Sequence, residues 1–190
     1  MARLPYISRD DLPEDKRHIY DRITETRGQA HGGPWTGPYA VLLNSPDAAD
    51  VVARVGEYIR FQSGLDPALR EIAILSTARE VGSQYEWTQH EPIAREAGVR
   101  DEVIESVRTG RAPMGLPPKE GVFAQAAREI VQRGALTERT FEAVLHLLGP
   151  QLAVDLIVLV GFYTMLGRAI ASLDVELEPG LQPGLPEAQR

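Results

Sequence analysis

The stretch Leu69 to Ala78 is apolar on nearly every side, with Glu71 as the acid in its first turn. A helix without a polar face must be covered by other elements, so this run predicts a central, surrounded helix. Asp66-Pro67 opens it with a cap oxygen and a proline in the first turn, and Gly82 closes it. Ser83 then caps a second helix running to Ala97, with Gly98 as its stop. Along that helix Ser83, Glu86 and His90 stand three and four residues apart, which puts them on one face. With Glu71 entering from the preceding helix, two carboxylates and an imidazole make a candidate acid–base site. Pro92 predicts a kink close to His90, or a helix end there with a new start at the proline.

The rest of the chain reads as scaffold. Asp10, Asp11 and Pro13 mark a helix start, and Ile19, Tyr20 and Ile23 give a stripe ending by Gly28. Residues 28–44 carry four glycines and two prolines and predict an irregular segment. It is either a packed connector or a lid whose His31, Trp35 and Tyr39 wall a pocket. Ser45-Pro46-Asp47 opens a helix with Val52, Val55 and Ile59 inward, reaching about Phe61. A shorter helix covers Asp101 to about Thr109, and residues 110–119 form a Gly/Pro linker. Val122, Phe123, Ala126, Ala127, Ile130 and Val131 define the next helix, stopped at Gly134. Thr137 caps another, with Phe141, Val144, Leu145 and Leu148 inward, ended by Gly149-Pro150. Gln151 to Leu173 is a long apolar helix, and the tail from Glu176 predicts an extended or loose end. Period-two alternation and hairpin dipeptides are absent, so the fold class is all-α.

An echo links the two parts: Ala68-Leu69-Arg70-Glu71-Ile72-Ala73-Ile74-Leu75 resembles Leu152-Ala153-Val154-Asp155-Leu156-Ile157-Val158-Leu159, an acid followed by four apolar residues in each. This predicts one domain over residues 1–190 made of two related helical halves. An arm and lid loop cover 1–45, the first half 46–109, the linker 110–119, the second half 120–173 and the tail 174–190.

The net charge of −7 and the lack of any Lys/Arg run argue against nucleic acid or an anionic membrane as partner. The 190 residues contain no cysteine, which excludes disulfides and thiol redox chemistry. The start is polar and broken by prolines, unlike a signal peptide, and the apolar run Leu156–Leu166 is too short for a bilayer. A soluble cytoplasmic protein is the expectation.

Glu71, Ser83, Glu86 and His90 reproduce the spacing E-x11-C-x2-C-x3-H with both cysteines replaced. Together with Tyr85-Glu86-Trp87, Pro38-Tyr39, Leu42 to Pro46 and Gly161-Phe162-Tyr163, this resembles the carboxymuconolactone decarboxylase and alkylhydroperoxidase D-like family, in its cysteine-free branch. The likeness spans roughly residues 30 to 178. It implies an alkylhydroperoxidase D-like helical bundle of two related halves, assembled as trimers or hexamers. It also implies a site centred on His90 with Glu71 behind it, and no thiol peroxidase activity.

The expected chemistry is a cofactor-free lyase on a small carboxylated lactone or enolisable acid. His90 would deliver a proton to an enolate, Glu71 would orient the imidazole, and Glu86 would serve as a second acid or base. Ser83, Trp87, Tyr39, Trp35 and His31 are the expected substrate contacts, and Arg79 or Arg95 the candidates to grip a carboxylate. Isomerisation or hydration would use the same groups. Two other classes are a metal site on Glu86, His90 and Glu71, and a non-catalytic oligomeric binding protein. The expected site has no metal.

Overall fold

The computed structural model describes residues 2–27, 37–111 and 116–186. Its regular elements are all helical, with no strand among the described residues. They are α1 (Arg17–Arg27), α2 (Pro38–Leu42), α3 (Pro46–Glu57), α4 (Pro67–Val81), α5 (Gln84–Glu96), α6 (Asp101–Arg108), α7 (Pro118–Arg133) and α8 (Glu138–Ser172). The chain divides into two compact units, residues 1–62 with 169–181, and residues 63–168 with 182–190.

In the first unit two single 3₁₀ turns, Arg9–Asp11 and Glu14–Lys16, lead into α1, so the helix proper begins after the predicted Asp10–Pro13 start. Leu12, Ile19, Ile23, Tyr39, Leu43, Ala49 and Ala53 form its core. Arg22 on α1 bridges Asp50 (2.5 Å) and Glu57 (3.0 Å) on α3. Part of the segment expected to be irregular is helical, because Gly37 turns the chain at φ 97° and Pro38 takes the first helical position of α2. Ser45 makes no side-chain cap, and Pro46 starts α3 without it. Beyond Glu57 the chain winds as a π-helical turn, Tyr58–Gln62.

The second unit is built around α4, which packs against α5, α6 and α7. Glu71 to Ala78 are all buried, as a helix without a polar face requires. The Asp66 carboxylate accepts from the Leu69 amide at 3.1 Å, and Gly82 turns the chain out of α4 at φ 77°. Ser83 caps α5 through the Glu86 amide at 3.4 Å. α5 runs on through Pro92 to Glu96, so it does not end at His90.

α8 is broken at Gly149 (φ 71°, ψ 173°), where the sequence places Gly-Pro. Before the break Val144 and Thr140 are buried, while Phe141 and Leu145 face outward, contrary to expectation. The reason lies in Glu129 on α7, whose carboxylate accepts from the Thr137 amide (2.7 Å) and the Thr140 hydroxyl (2.8 Å). That grip turns the Thr140–Val144 edge inward. After the break Leu156, Leu159, Val160, Phe162, Tyr163 and Leu166 are buried. Gly167 brings α8 close to the α4–α5 junction: a β-carbon there would lie 2.9 Å from Val81 Cγ1 and 3.2 Å from Ser83 Cβ.

Two expectations need correction. α8 continues beyond the unbroken apolar run and is, by length and composition, long and apolar enough to cross a membrane. The tail, expected to be extended or loose, is held in place over Gln182–Leu185. Gln182–Leu185 lies along α5, where the Gln84 side chain donates to the Leu185 carbonyl (2.8 Å) and accepts from its amide (2.9 Å). Polar side chains rather than an apolar stripe hold it, so hydrophobic periodicity gives no sign of the contact.

Candidate active site

α4 and α5 supply the site. Glu71 lies one turn inside α4, and the capped start of α5 sets the register of Glu86 and His90 on the facing helix. Glu71 Oε2 lies 2.7 Å from His90 Nδ1, with both side chains buried. With Glu71 as an ionised carboxylate, its oxygen accepts and Nδ1 donates, which leaves Nε2 as the nitrogen turned away from Glu71. Glu86 Oε2 faces Nε2 at 3.6 Å from one turn earlier on α5. The imidazole is therefore flanked by a carboxylate at each nitrogen.

Two neighbours complete the arrangement that the spacing alone did not identify. Arg70 Nε lies 3.4 Å from Glu71 Oε1, so the carboxylate that orients His90 has a guanidinium on its other oxygen. Tyr163 on α8 stands edge-on to the His90 ring, with centroids 5.1 Å apart. Arg70 was visible in the sequence as the neighbour of Glu71. Tyr163 comes from 73 residues away, and nothing in local spacing connects it to His90.

Ser83 is buried at the head of α5, where its oxygen caps the helix. Trp87, expected as a pocket wall, is completely buried on another flank of α5. Its indole N–H donates to Glu91 Oε2 at 2.8 Å, and the Arg108 guanidinium lies over the ring. Tyr39 lies in the apolar core of the first unit. His31 and Trp35 lie outside the described residues. Arg79 donates to the Arg108 carbonyl at 2.9 Å, and Arg95 pairs with Glu91 and Asp101, so each has a packing role of its own.

Residues 46–129 match the family model described as the carboxymuconolactone decarboxylase family. The matched segment holds Glu71, Ser83, Glu86 and His90 together with Arg70, while Tyr163 is supplied from beyond it.

Among solved structures, an alkylhydroperoxidase AhpD core protein from Ralstonia eutropha JMP134, described as an uncharacterized peroxidase-related protein, superimposes with a TM-score of 0.74. The two are 18% identical, over 94% of this chain and 93% of that one. The debrominase Bmp8, as a cysteine-to-alanine variant in complex with 2,3,4-tribromopyrrole, gives a TM-score of 0.72 at 14% identity, over 88% of this chain and 90% of that one. Its apo form gives 0.71 at 14% identity, over 91% and 90%. The fold is thus the AhpD-like all-α fold. A search of curated proteins returns no match.

Proposed function

We propose that the protein is a cofactor-free acid–base enzyme of the cysteine-free, decarboxylase-type branch, acting on a small carboxylated lactone or enolisable acid. The observation that carries this reading is the buried row Glu71–His90–Glu86, in which one carboxylate lies against Nδ1 of the imidazole and the other faces Nε2. On loss of CO₂ the electron pair of the breaking C–C bond passes into the adjacent carbonyl and gives an enolate. A proton on His90 Nε2 then moves to the enolate carbon, and Glu86 is placed to return a proton to the ring. Glu71 keeps Nδ1 protonated and the ring oriented throughout. Thiol peroxidase chemistry needs a thiolate, and these 190 residues contain no cysteine. Isomerisation of an enolisable substrate would use the same transfer without CO₂ release, and is the second reading.

The test is turnover of 4-carboxymuconolactone and a panel of keto and lactone acids, followed by CO₂ release and by absorbance. CO₂ release by the wild-type protein supports the lyase. An absorbance change without CO₂ assigns the isomerase, and no turnover of any panel member counts against both.

We further infer a cytoplasmic homo-oligomer, a trimer or hexamer, formed through α8. Val154, Ile157, Val158 and Met165 are exposed along α8, with Ile157 and Val158 three and four residues after Val154 and Met165 seven after Val158, which keeps them on one face. Such a narrow seam between Gln151 and Arg168 suits a second helix better than lipid, which would contact a wider face. Val158→Glu is expected to shift the protein to monomer in sedimentation without unfolding it. An unchanged oligomer would move the interface elsewhere, and wild-type flotation with lipid vesicles would replace this reading by a membrane one.

A further inference from the structure

The segment Gln182–Leu185 is fastened to the helix that carries His90, on a flank away from the Ser83, Glu86 and His90 face. Gln84, Thr88 and Glu91 follow one another at four and three residues along α5, whereas Ser83, Glu86 and His90 occupy a different face. Gln84 grips Leu185 at both its amide and its carbonyl, in the manner of a strand partner. The Thr88 hydroxyl donates to the Gln182 carbonyl at 3.4 Å and accepts from the Gly184 amide at 3.3 Å. Leu185 is buried.

The third anchor reaches α6. Arg108 donates to the Gly184 carbonyl while its other nitrogen bonds Glu91 at 2.6 Å, and its guanidinium covers Trp87. Gly184 presses so closely on Trp87 that a β-carbon would lie 2.5 Å from Cδ1. The segment therefore touches α5 at Gln84, Thr88 and Trp87, and ties it to α6 through Arg108.

We propose that Gln182–Leu185 is a positioning strap that sets the roll of α5 about its own axis, and through it the contact between His90 and Glu71. The geometry makes that contact sensitive. A helix with side chains has a radius of about 5–6 Å, so a roll of about 10° displaces a side-chain tip by about 1 Å. Such a shift would open the 2.7 Å contact beyond hydrogen-bond range. Glu71 stands on α4, a different helix, and does not follow the roll. The proposal rests on the acid–base reading only for the purpose that the positioning serves. The coupling itself is measured without turnover.

The experiment compares two full-length variants altered from opposite sides of the contact, Gln84→Ala on α5 and Gly184→Val on the strap. Nitrogen-15 NMR of the His90 ring reads the result. Both variants are expected to change the His90 Nδ1 and Nε2 shifts in the same direction and to speed exchange of the Nδ1 proton at least tenfold. Glu129→Gln, far along the chain in the α7–α8 clamp, serves as a control that lowers melting temperature without moving those signals. Folded variants whose His90 ring signals match the wild type overturn the proposal. So does a control that shifts them as much, since the effect would then follow stability alone. If one variant fails to fold, the other decides by the same criteria.

Discussion

His90→Ala is expected to lower turnover of the substrate found in the panel by about 10²- to 10⁴-fold, the range of a positioned general acid–base residue. Circular dichroism should remain helical, because α5 is held by its Ser83 cap and by packing on α4 rather than by the imidazole. Glu71→Gln should retain substrate affinity and lose kcat by a smaller factor. Its amide is a weaker acceptor for Nδ1 and can present an N–H instead, leaving the ring free to take the wrong tautomer. A His90→Ala enzyme with full activity would reduce the Glu71–His90 pair to a packing detail. Loss of kcat in both variants, with KM nearly unchanged, would fit a role in proton transfer rather than in binding.

The second large effect concerns stability. Burial pushes the Glu129 carboxyl up, but hydrogen bonds from Gln125, the Thr137 amide, Thr140 and the Thr137 hydroxyl outweigh it and hold the group at about 2, against an ordinary 4.5. A carboxylate depressed in the folded state contributes stability above its unfolded value, and that contribution fades as pH falls from about 4.5 to about 2. At about 1.4 kcal/mol per pH unit, the contribution at neutral pH is on the order of 3 kcal/mol. Glu129→Gln should therefore show a markedly lower urea midpoint than wild type at pH 7 and a shrinking gap toward pH 2. A gap of constant size across that range would assign the loss to shape rather than charge.

Much of the second unit was legible because its pattern is extreme. A helix apolar on all sides can only be central, and Asp66-Pro67, Gly82 and Ser83 mark its ends with side chains whose geometry is observed. Ser83, Glu86 and His90 were legible as one face because helical spacing fixes which residues align, whereas Glu71, on the preceding helix, was legible through the spacing that carries the family resemblance. What escaped depends on contacts between distant segments. Tyr163 reaches His90 only because Gly167 lets α8 approach the α4–α5 junction, and no local period encodes that. The residue type of Trp87 suits a pocket wall, but its surroundings are set by Arg108 and by Gly184. Phe141 and Leu145 fitted an inward stripe as well as Val144 did, and a polar clamp at Glu129 decided between the two faces. α2 carried a usable signal, proline at a helix start, which the surrounding glycines obscured.

The enclosure of α4 has a consequence for the timescales on which the protein moves. Backbone amides in a helix wrapped by three others exchange with solvent only when the surrounding cooperative unit opens, so Ile72 to Ala78 should be among the slowest-exchanging positions of the second unit. Glu71 is thus carried by the element that opens last, whereas His90 is carried by one whose other flank is held by the short segment Gln182–Leu185 through a few hydrogen bonds. Fluctuations that separate the pair should originate on the His90 side, at opening free energies well below that of global unfolding.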